Sequence, residues 1–327
     1  MTSRLRVLAG VVALAAAVAA CGSGGGATSG NYPSETLHWT IAFGPGGGND
    51  IMSRTIVDIL KKENLYPNEI EVTNREGGSG ARGWGYVYAH RGDPYQISTT
   101  SGSFLTTPLQ AGTGWAPNDF TPVGLFAQDD LLFLVSPKSG IESWEQWVER
   151  AKGNAKGVPV GGIGTVNVDF IDHQMLADQA GYKISYVPFD DEGQLINALL
   201  SGSVEAIVSN PAEVLGQVES GDMVPLLFTG KESPAAVSDV PTAEELGFEG
   251  LLAMPRGVIL APDAGEEAQR WWIETMRKVV KTPAWRQYLK ENQLIADVRW
   301  GEDFATYIDS TNAEFTEVLR DQGVLDR

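Results

Sequence analysis

Three glycine-rich turns are the segments of this sequence best suited to chemistry. They are GPGGGND at 44–50, NREGGSG at 74–80 and GGIGTVN at 161–167. Each follows an apolar stretch typical of a strand, and ligands of parallel α/β sheets bind at the carboxyl ends of strands. Glycine permits close approach to free backbone N–H groups, and a helix beginning there adds roughly half a positive charge. We expect anion-binding turns that need no lysine; the alternative, tight connections without a ligand, is disfavoured by their shared position.

Nucleotide sites match these turns poorly. Residues 44–50 lack the Gly-Lys-Ser/Thr ending of a phosphate loop. Residues 78–83 match the Gly-x-Gly-x-x-Gly pattern, but the next strand end, TTSGS at 99–103, offers no acid for a ribose. The sequence therefore predicts no cofactor.

Catalytic and metal-binding patterns are also missing from the sequence. His38, His90 and His173 lack the spacing of metal ligands, and there is no Gly-x-Ser-x-Gly elbow. The acidic residues 190–192 could bind a cation or act as acid and base. The alternative, which we favour, is that Asp190 caps the following helix and its neighbours are solvated. We expect neither an enzyme nor a metal site.

The N-terminal segment predicts export and a lipid anchor. A basic start precedes the apolar run LAGVVALAAAVAA, which is too short to span a bilayer and is typical of a signal peptide over residues 1–20. The run Val-Ala-Ala-Cys resembles a lipobox, which predicts a lipidated Cys21 that holds the chain on the bilayer through a flexible tether at 21–33. The alternative is ordinary signal cleavage with Cys21 incidental. Since Cys21 is the only cysteine, no disulfide is expected.

Composition and periodicity predict an acidic α/β protein. The 327 residues carry a net charge of −18 and no basic run, which disfavours nucleic acid as a partner. From residue 37 onward, apolar stretches typical of strands alternate with amphipathic helical patterns, and this alternation indicates parallel sheets. The number of strands suits two sheets better than one. Residues 265–322 have the pattern of consecutive helices.

The motifs and their order resemble the Bug family, the extracytoplasmic solute receptors of tripartite tricarboxylate transporters. The resemblance spans residues 37–325 and rests on AFGPGGGNDIMSR, NREGGSGARG, DFTPVGL, LLFLVSPKSGI, VPF, SDVPTAEELGF and RGVILAP. It implies a two-domain fold of the type II periplasmic-binding-protein kind, with a ligand cleft between domain 1 (34–130 plus 228–327) and domain 2 (131–227). It also implies capture of a mono-, di- or tricarboxylate outside the cytoplasmic membrane and delivery to the membrane permease subunits.

The resemblance further implies which residues contact the ligand. The first two glycine turns would hold one carboxylate, and a loop and two strand ends of domain 2 would contact the far end of the ligand. The implied carboxylate contacts are Phe43, Gly44, Gly46, Gly47, Gly48, Asn49, Gly77, Gly78, Ser79 and Gly80. Those of domain 2 are Gly164, Thr165, Asn167, Phe189, Asp190, Ser209 and Asn210. Thr100 and Ser101 end the third predicted strand and are added for their hydroxyls.

Two departures from the family pattern fall where the far end of the ligand is expected. Asp190 stands where the family often has a lysine, and Val166 and Asn167 stand where a histidine is common. Both changes favour an amine-bearing or hydroxylated far end over a second carboxylate. Asp190 is then the expected partner of that end.

Two charged residues near the turns have expected roles of their own. Asp50 is expected to point away from the ligand, beside the helix dipole, and to pair with Arg54. Arg256 either reaches the cleft or forms a salt bridge between the domains.

The function of a transport receptor also has alternatives. The chain could be a receptor for another transporter class, a receptor for a sensor kinase, or an extracellular enzyme.

Overall fold

The computed structural model describes residues 32–165, 167–189 and 192–321, together with 323 and 325. Two β-sheets surrounded by helices make up this part of the chain, which confirms the expected α/β class. The predicted signal peptide, Cys21 and Asp190 lie outside the described residues.

The first sheet carries two of the three glycine turns. From edge to edge its strands are Ile295–Trp300 (β11), Thr121–Asp129 (β4), Met254–Leu260 (β10), Gln96–Thr99 (β3), Leu37–Ile41 (β1) and Ile70–Asn74 (β2). β1 pairs in parallel with β2 and β3, whereas β10 runs antiparallel to β3 and β4. The carboxyl ends of β1, β2 and β3 therefore meet at one edge, together with the end of β4 and the start of β10.

The second sheet carries the third glycine turn. Its strands in order are Ile184–Phe189 (β7), Val158–Ile163 (β6), Ala206–Ser209 (β8), Leu132–Val135 (β5) and Val224–Phe228 (β9). β6 is parallel to β7 and β8, and β5 is antiparallel to β8 and β9. The chain thus passes from the first sheet to the second after β4 and returns after β9. The exact domain limits stay a prediction.

The helices follow the strands as the apolar periodicity predicts. In the first helix Met52, Ile56 and Leu60 are fully buried, one turn apart on the face that packs against the sheet. The helices are Gly48–Lys62 (α1), Ala81–Ala89 (α2), Gly102–Gln110 (α3), Trp144–Lys152 (α4), Val168–Ala180 (α5), Glu192–Ser201 (α6), Pro211–Glu219 (α7), Glu266–Val279 (α8), Pro283–Glu291 (α9) and Glu302–Asp321 (α10). Across the described residues, none of them is long and apolar enough to cross a membrane.

Aromatic packing fixes the first glycine turn on this frame. Phe43, which opens the turn, meets the buried ring of Trp84 edge to face, with the centroids 5.6 Å apart. Trp84 in turn packs against Phe104 at 5.3 Å. Rings of this size bury about 150–250 Å² each, so the turn rests on a rigid part of the core.

One part of the sequence-based expectation for the fold is wrong. Residues 265–322 have a helical pattern throughout, yet β11 lies within them as an edge strand beside β4. Most residues of β11 are exposed or half-buried, so it lacks the apolar run that marks the buried strands.

Candidate ligand-binding cleft

A cleft of about 640 Å³ lies where the strand ends of the two sheets face each other. The first sheet contributes the turn after β1, the segment after β3, the end of β4 and the start of β10. The second contributes the end of β6 and the first turns of α5, α6 and α7. The lining residues include Phe43, Gly44, Pro45, Gly46, Gly47, Gly48, Asn49, Ile51, Glu76, Ser101, Asp129, Ile163, Asn167, Asp169, Glu192, Ser209, Asn210, Glu213, Met254 and Arg256.

The first glycine turn lines the cleft along its whole length, but its amides are only partly free. The N–H of Gly46 donates to Asp50 Oδ2 at 3.0 Å, and the N–H of Gly48 lies beside the carboxylate of Glu213. The N–H groups of Gly44 and Gly47 have no partner among the described residues. The expectation of a fully uncovered turn is therefore wrong at Gly46, because the protein's own Asp50 carboxylate accepts its N–H.

Asp50 serves the turn rather than the cleft. Its side chain does not line the cavity, and Oδ1 accepts from Arg54 Nε and from Asn74 Nδ2, each at 2.9 Å. These donors and the Gly46 N–H hold the pKa of the Asp50 carboxyl below its usual value, against the opposing effect of burial. The predicted ion pair with Arg54 is present, and together with the bond to Gly46 it stabilises the conformation of the first glycine turn.

The second glycine turn reaches the cleft only through Glu76, and its glycines do not line it. None of Gly77, Gly78, Ser79 and Gly80 lines it; Glu76, just before them, does. Gly80 has φ +87°, and a Cβ there would lie 2.1 Å from the ring of Trp84. The need for glycine here comes from backbone conformation and packing, which the sequence pattern alone could not separate from ligand contact.

The two hydroxyls after β3 have different surroundings. Ser101 lines the cleft, and its Oγ is buried with no partner among the described residues. Thr100 does not line it, since its Oγ1 accepts from the N–H of Gly257 at 3.0 Å and donates to the carbonyl of Pro255. Thr100 therefore ties β3 to β10 and is not exposed to a ligand.

On the second-sheet side the predicted residues are also divided. Asn167, Ser209 and Asn210 line the cleft. Gly164, Thr165 and Phe189 do not, and the Gly164 carbonyl accepts from Tyr186 Oη at 3.0 Å.

Three acidic residues on this side were not predicted as site residues. Asp169 is buried and its Oδ2 accepts the N–H of Ile163 at 2.7 Å; burial raises the pKa of its carboxyl to about 7. Glu192 and Glu213 lie close together, and burial followed by the charge of Glu213 raises the pKa of Glu192 well above its usual value. Glu192 had been expected to be solvated; it is half-buried, because α6 starts at the wall of the cleft. Each acid stands in the first turn of a helix, a position so common for acids that it gave no signal of a site.

Arg256 reaches the cleft and forms a salt bridge at the same time. Its Nε donates to Asp129 Oδ2 at 3.0 Å, and Nη2 donates to the same oxygen. Both residues lie on neighbouring strands of the first sheet, with only 5% and 3% of their surfaces exposed. The guanidinium packs against the first turn, since a Cβ on Gly48 would lie 2.7 Å from Nη2.

Comparison with known proteins identifies the family of this chain. The model of the family described as "Tripartite tricarboxylate transporter family receptor" matches residues 54–324. The chain belongs to this family. The match confirms the resemblance to the Bug receptors, one of which, protein BugT of Bordetella pertussis, is 24% identical over 252 residues, or 75% of this chain and 76% of BugT.

Solved receptors of this kind share the fold. A TctC solute-binding protein from Polaromonas superposes with a TM-score of 0.72 at 22% identity, over 89% of this chain and 100% of its own. A Rhodopseudomonas palustris protein solved with adipate gives 0.80 at 21% identity, over 90% and 99% of the two chains. MatC of the same organism, solved with malate, gives 0.77 at 19% identity, over 88% and 100%. The family and its solved members are periplasmic solute-binding receptors rather than enzymes.

Proposed function

We propose that this chain captures a small organic carboxylate in the cleft and delivers it to the permease of a tripartite tricarboxylate transporter. The observation that carries the proposal is a set of unoccupied donors on the first-sheet side. The N–H groups of Gly44 and Gly47, the Oγ of Ser101 and the Nδ2 of Asn49 all lack partners among the described residues. Malate and adipate, bound by two receptors of the same fold, are carboxylates.

These donors can hold a carboxylate without a free cation. A carboxylate that accepts two or more charge-assisted N–H bonds at a helix N-terminus is stabilised by the bonds and by the helix dipole. Gly47 is the N-cap of α1, so its N–H lies at the positive end of the helix dipole. Arg256 adds positive charge behind Gly48, although Asp129 offsets much of it.

Capture then works through reversible closure of the cleft. A solute that contacts both sides favours the closed state by the difference between its affinities for the closed and open states. Gly48 of α1 and the carboxylate of Glu213 of α7 already lie side by side across the cleft. The solute adds further links between the same two sides and needs no chemical step, so the chain has no catalytic role in this proposal.

The proposal includes export and anchoring through the N-terminal segment. Residues 1–20 would direct secretion, and a lipid on Cys21 would hold the receptor at the outer face of the cytoplasmic membrane or in the periplasm. Mass spectrometry of the membrane-extracted protein tests whether Cys21 carries a lipid. In a second test, we expect the Cys21→Ser form to be released into the soluble fraction.

The binding proposal is tested by removing one donor at a time. Proline fits the φ of −79° at Gly47 and has no N–H, so Gly47→Pro deletes one donor, whereas Gly47→Ala keeps it. A carboxylate found by a thermal-shift screen of the full chain, which adds about 2.7 kcal/mol of stability at a hundred times its Kd, is then titrated into both variants. We expect Gly47→Pro to weaken binding about 10- to 100-fold, the loss of one charge-assisted bond, and Gly47→Ala to bind almost normally. Equal affinity of Gly47→Pro and the parent would overturn the proposed anion site.

A further inference from the structure

The second-sheet side of the cleft presents carboxylates where the first-sheet side presents donors. Asp169, Glu192 and Glu213 all line the cleft from the first turns of three neighbouring helices. Glu192 and Glu213 lie close enough for the charge of one carboxyl group to act on the other. The second-sheet side of the cleft thus carries three acids, whereas the first-sheet side carries donors together with Glu76 and the salt-bridged Asp129.

Two buried acceptor atoms on this side have no partner among the described residues. One is Oδ1 of Asp169, a residue with 2% of its surface exposed, and the other is Oδ1 of Asn167, with 6% exposed. A buried oxygen without a donor costs about 1–3 kcal/mol, and more when it is charged. Both residues line the cleft, and their Oδ1 atoms need a hydrogen-bond donor that the described protein groups do not supply.

The protein does not supply a cation for this cluster. Among the described residues that line the cleft, Arg256 is the only cation; it is bonded to Asp129 and, of the three acids, it faces Glu213. Asp169 and Glu192 are left without a positive partner. Nor do three side chains of metal-ligating type converge anywhere in the described part of the chain. An organic cation with several N–H donors is the better chemical match.

We propose that the solute is an aminocarboxylate whose ammonium group binds between Asp169, Asn167 and Glu192, while its carboxylate takes the donors of the first-sheet side. This inference rests on the proposed carboxylate receptor and narrows its solute class. An ammonium group donates three hydrogen bonds and neutralises the carboxylates, whereas a second carboxylate would meet like charges in a confined space. The amine-bearing end expected from the sequence thus acquires partners other than Asp190.

Matched compounds test this inference by calorimetric titration of the full chain. One set consists of pentanoate, glutarate and the aminopentanoates with the amine at the α or the terminal carbon; a second set has one carbon fewer. We expect an aminocarboxylate to bind at least tenfold more tightly than the plain acid and the diacid of its set. If the acids and diacids bind and the aminocarboxylates bind more weakly, this inference is overturned and the carboxylate receptor stands. If no compound of either set binds, both are overturned.

Two conservative variants locate the ammonium site. Asp169→Asn and Glu192→Gln remove the ability to ionise with little change in size, and we expect each to weaken aminocarboxylate binding at least tenfold. Binding of the matched diacid should be unchanged or tighter in the same variants. Glu219→Gln, an exposed position on α7, is the control for the loss of one charge and should alter neither affinity. Equal weakening of diacid and aminocarboxylate by both cleft variants would assign these residues a structural role and overturn the inference.

Discussion

At the scale of single residues, Gly48 shows how a missing side chain makes room for a charge. A Cβ at this position would meet Nη2 of Arg256 at 2.7 Å and Cζ at 3.2 Å, whereas one at Gly47 would meet no atom within 4 Å. We expect Gly48→Ala to displace the buried guanidinium and to lower the free energy of unfolding by about 1–3 kcal/mol. Gly47→Ala, one residue earlier, should leave it nearly unchanged. Urea unfolding of the two variants measures the difference, and equal stabilities would show that Arg256 moves at no cost.

The ion pair behind that turn is the second residue-scale test. Arg256 and Asp129 are buried, so removing one partner leaves an uncompensated charge in the interior. We expect Asp129→Asn to cost about 3–5 kcal/mol of unfolding free energy. Asp58→Asn, which breaks the exposed pair with Lys62, should cost at most about 1 kcal/mol. A loss from Asp129→Asn as small as that of Asp58→Asn would mean that water reaches the guanidinium.

Individual residues also show the limit of prediction from the sequence. The first glycine turn could be expected to line a cleft, as it does, because its position after β1 follows from local pattern and topology. Glu213 was missed, because its importance depends on contact with Gly48 across the cleft, a relation that no local pattern contains. Thr100 was placed in the site by the same strand-end logic, although β10 occupies its hydroxyl.

At the scale of elements, the glycine at the start of α2 is required for two reasons, its backbone conformation and its packing. Gly80 and Gly92 have similar φ values, +87° and +84°, but only Gly80 lies against a ring, that of Trp84. We expect Gly92→Ala to cost about 1–2 kcal/mol from backbone strain alone. Gly80→Ala should cost at least about 2 kcal/mol more because the Cβ also overlaps the buried indole. Thermal unfolding of both variants checks this, and the prediction fails if the two midpoints agree.

The helices and strands differ in how well they could be predicted from the sequence. Helix α1 and the buried strands were predictable since one face or both faces are apolar, and burial is what their patterns encode. Strand β11 was not, because its pairing with β4 at an exposed edge needs little apolar sequence. The position of an edge strand is decided by its neighbour, so it becomes visible only in the folded sheet.

At the scale of the whole molecule, an excess of buried carboxyls governs the response to pH. Burial raises the pKa of Asp169 to about 7 and that of Asp130 to about 6, and it raises the values of Asp172, Glu192 and Glu213 as well. Burial acts in the opposite sense on His173 and lowers its pKa to about 4. Carboxyl groups thus account for most of the protons that buried groups bind or release between pH 6 and 8.

The direction of the pH effect follows from proton binding in the two states. Between pH 6 and 8 the unfolded chain has ionised its carboxyls, while the folded chain still holds protons on those with raised pKa values, so stability falls as pH rises through this range. We expect the unfolding free energy of the unliganded chain to be about 1–2 kcal/mol higher at pH 6 than at pH 8. Asp169 interacts electrostatically with five other titratable groups, which are Glu192, Glu213, Asp129, Asp172 and Tyr186. Asp169→Asn should remove part of the slope and Glu219→Gln none of it, as urea unfolding at several pH values would measure. A slope of the opposite sign, or one that Asp169→Asn leaves intact, would mean that Asp169 is ionised in the free receptor, with its charge already balanced before any solute arrives.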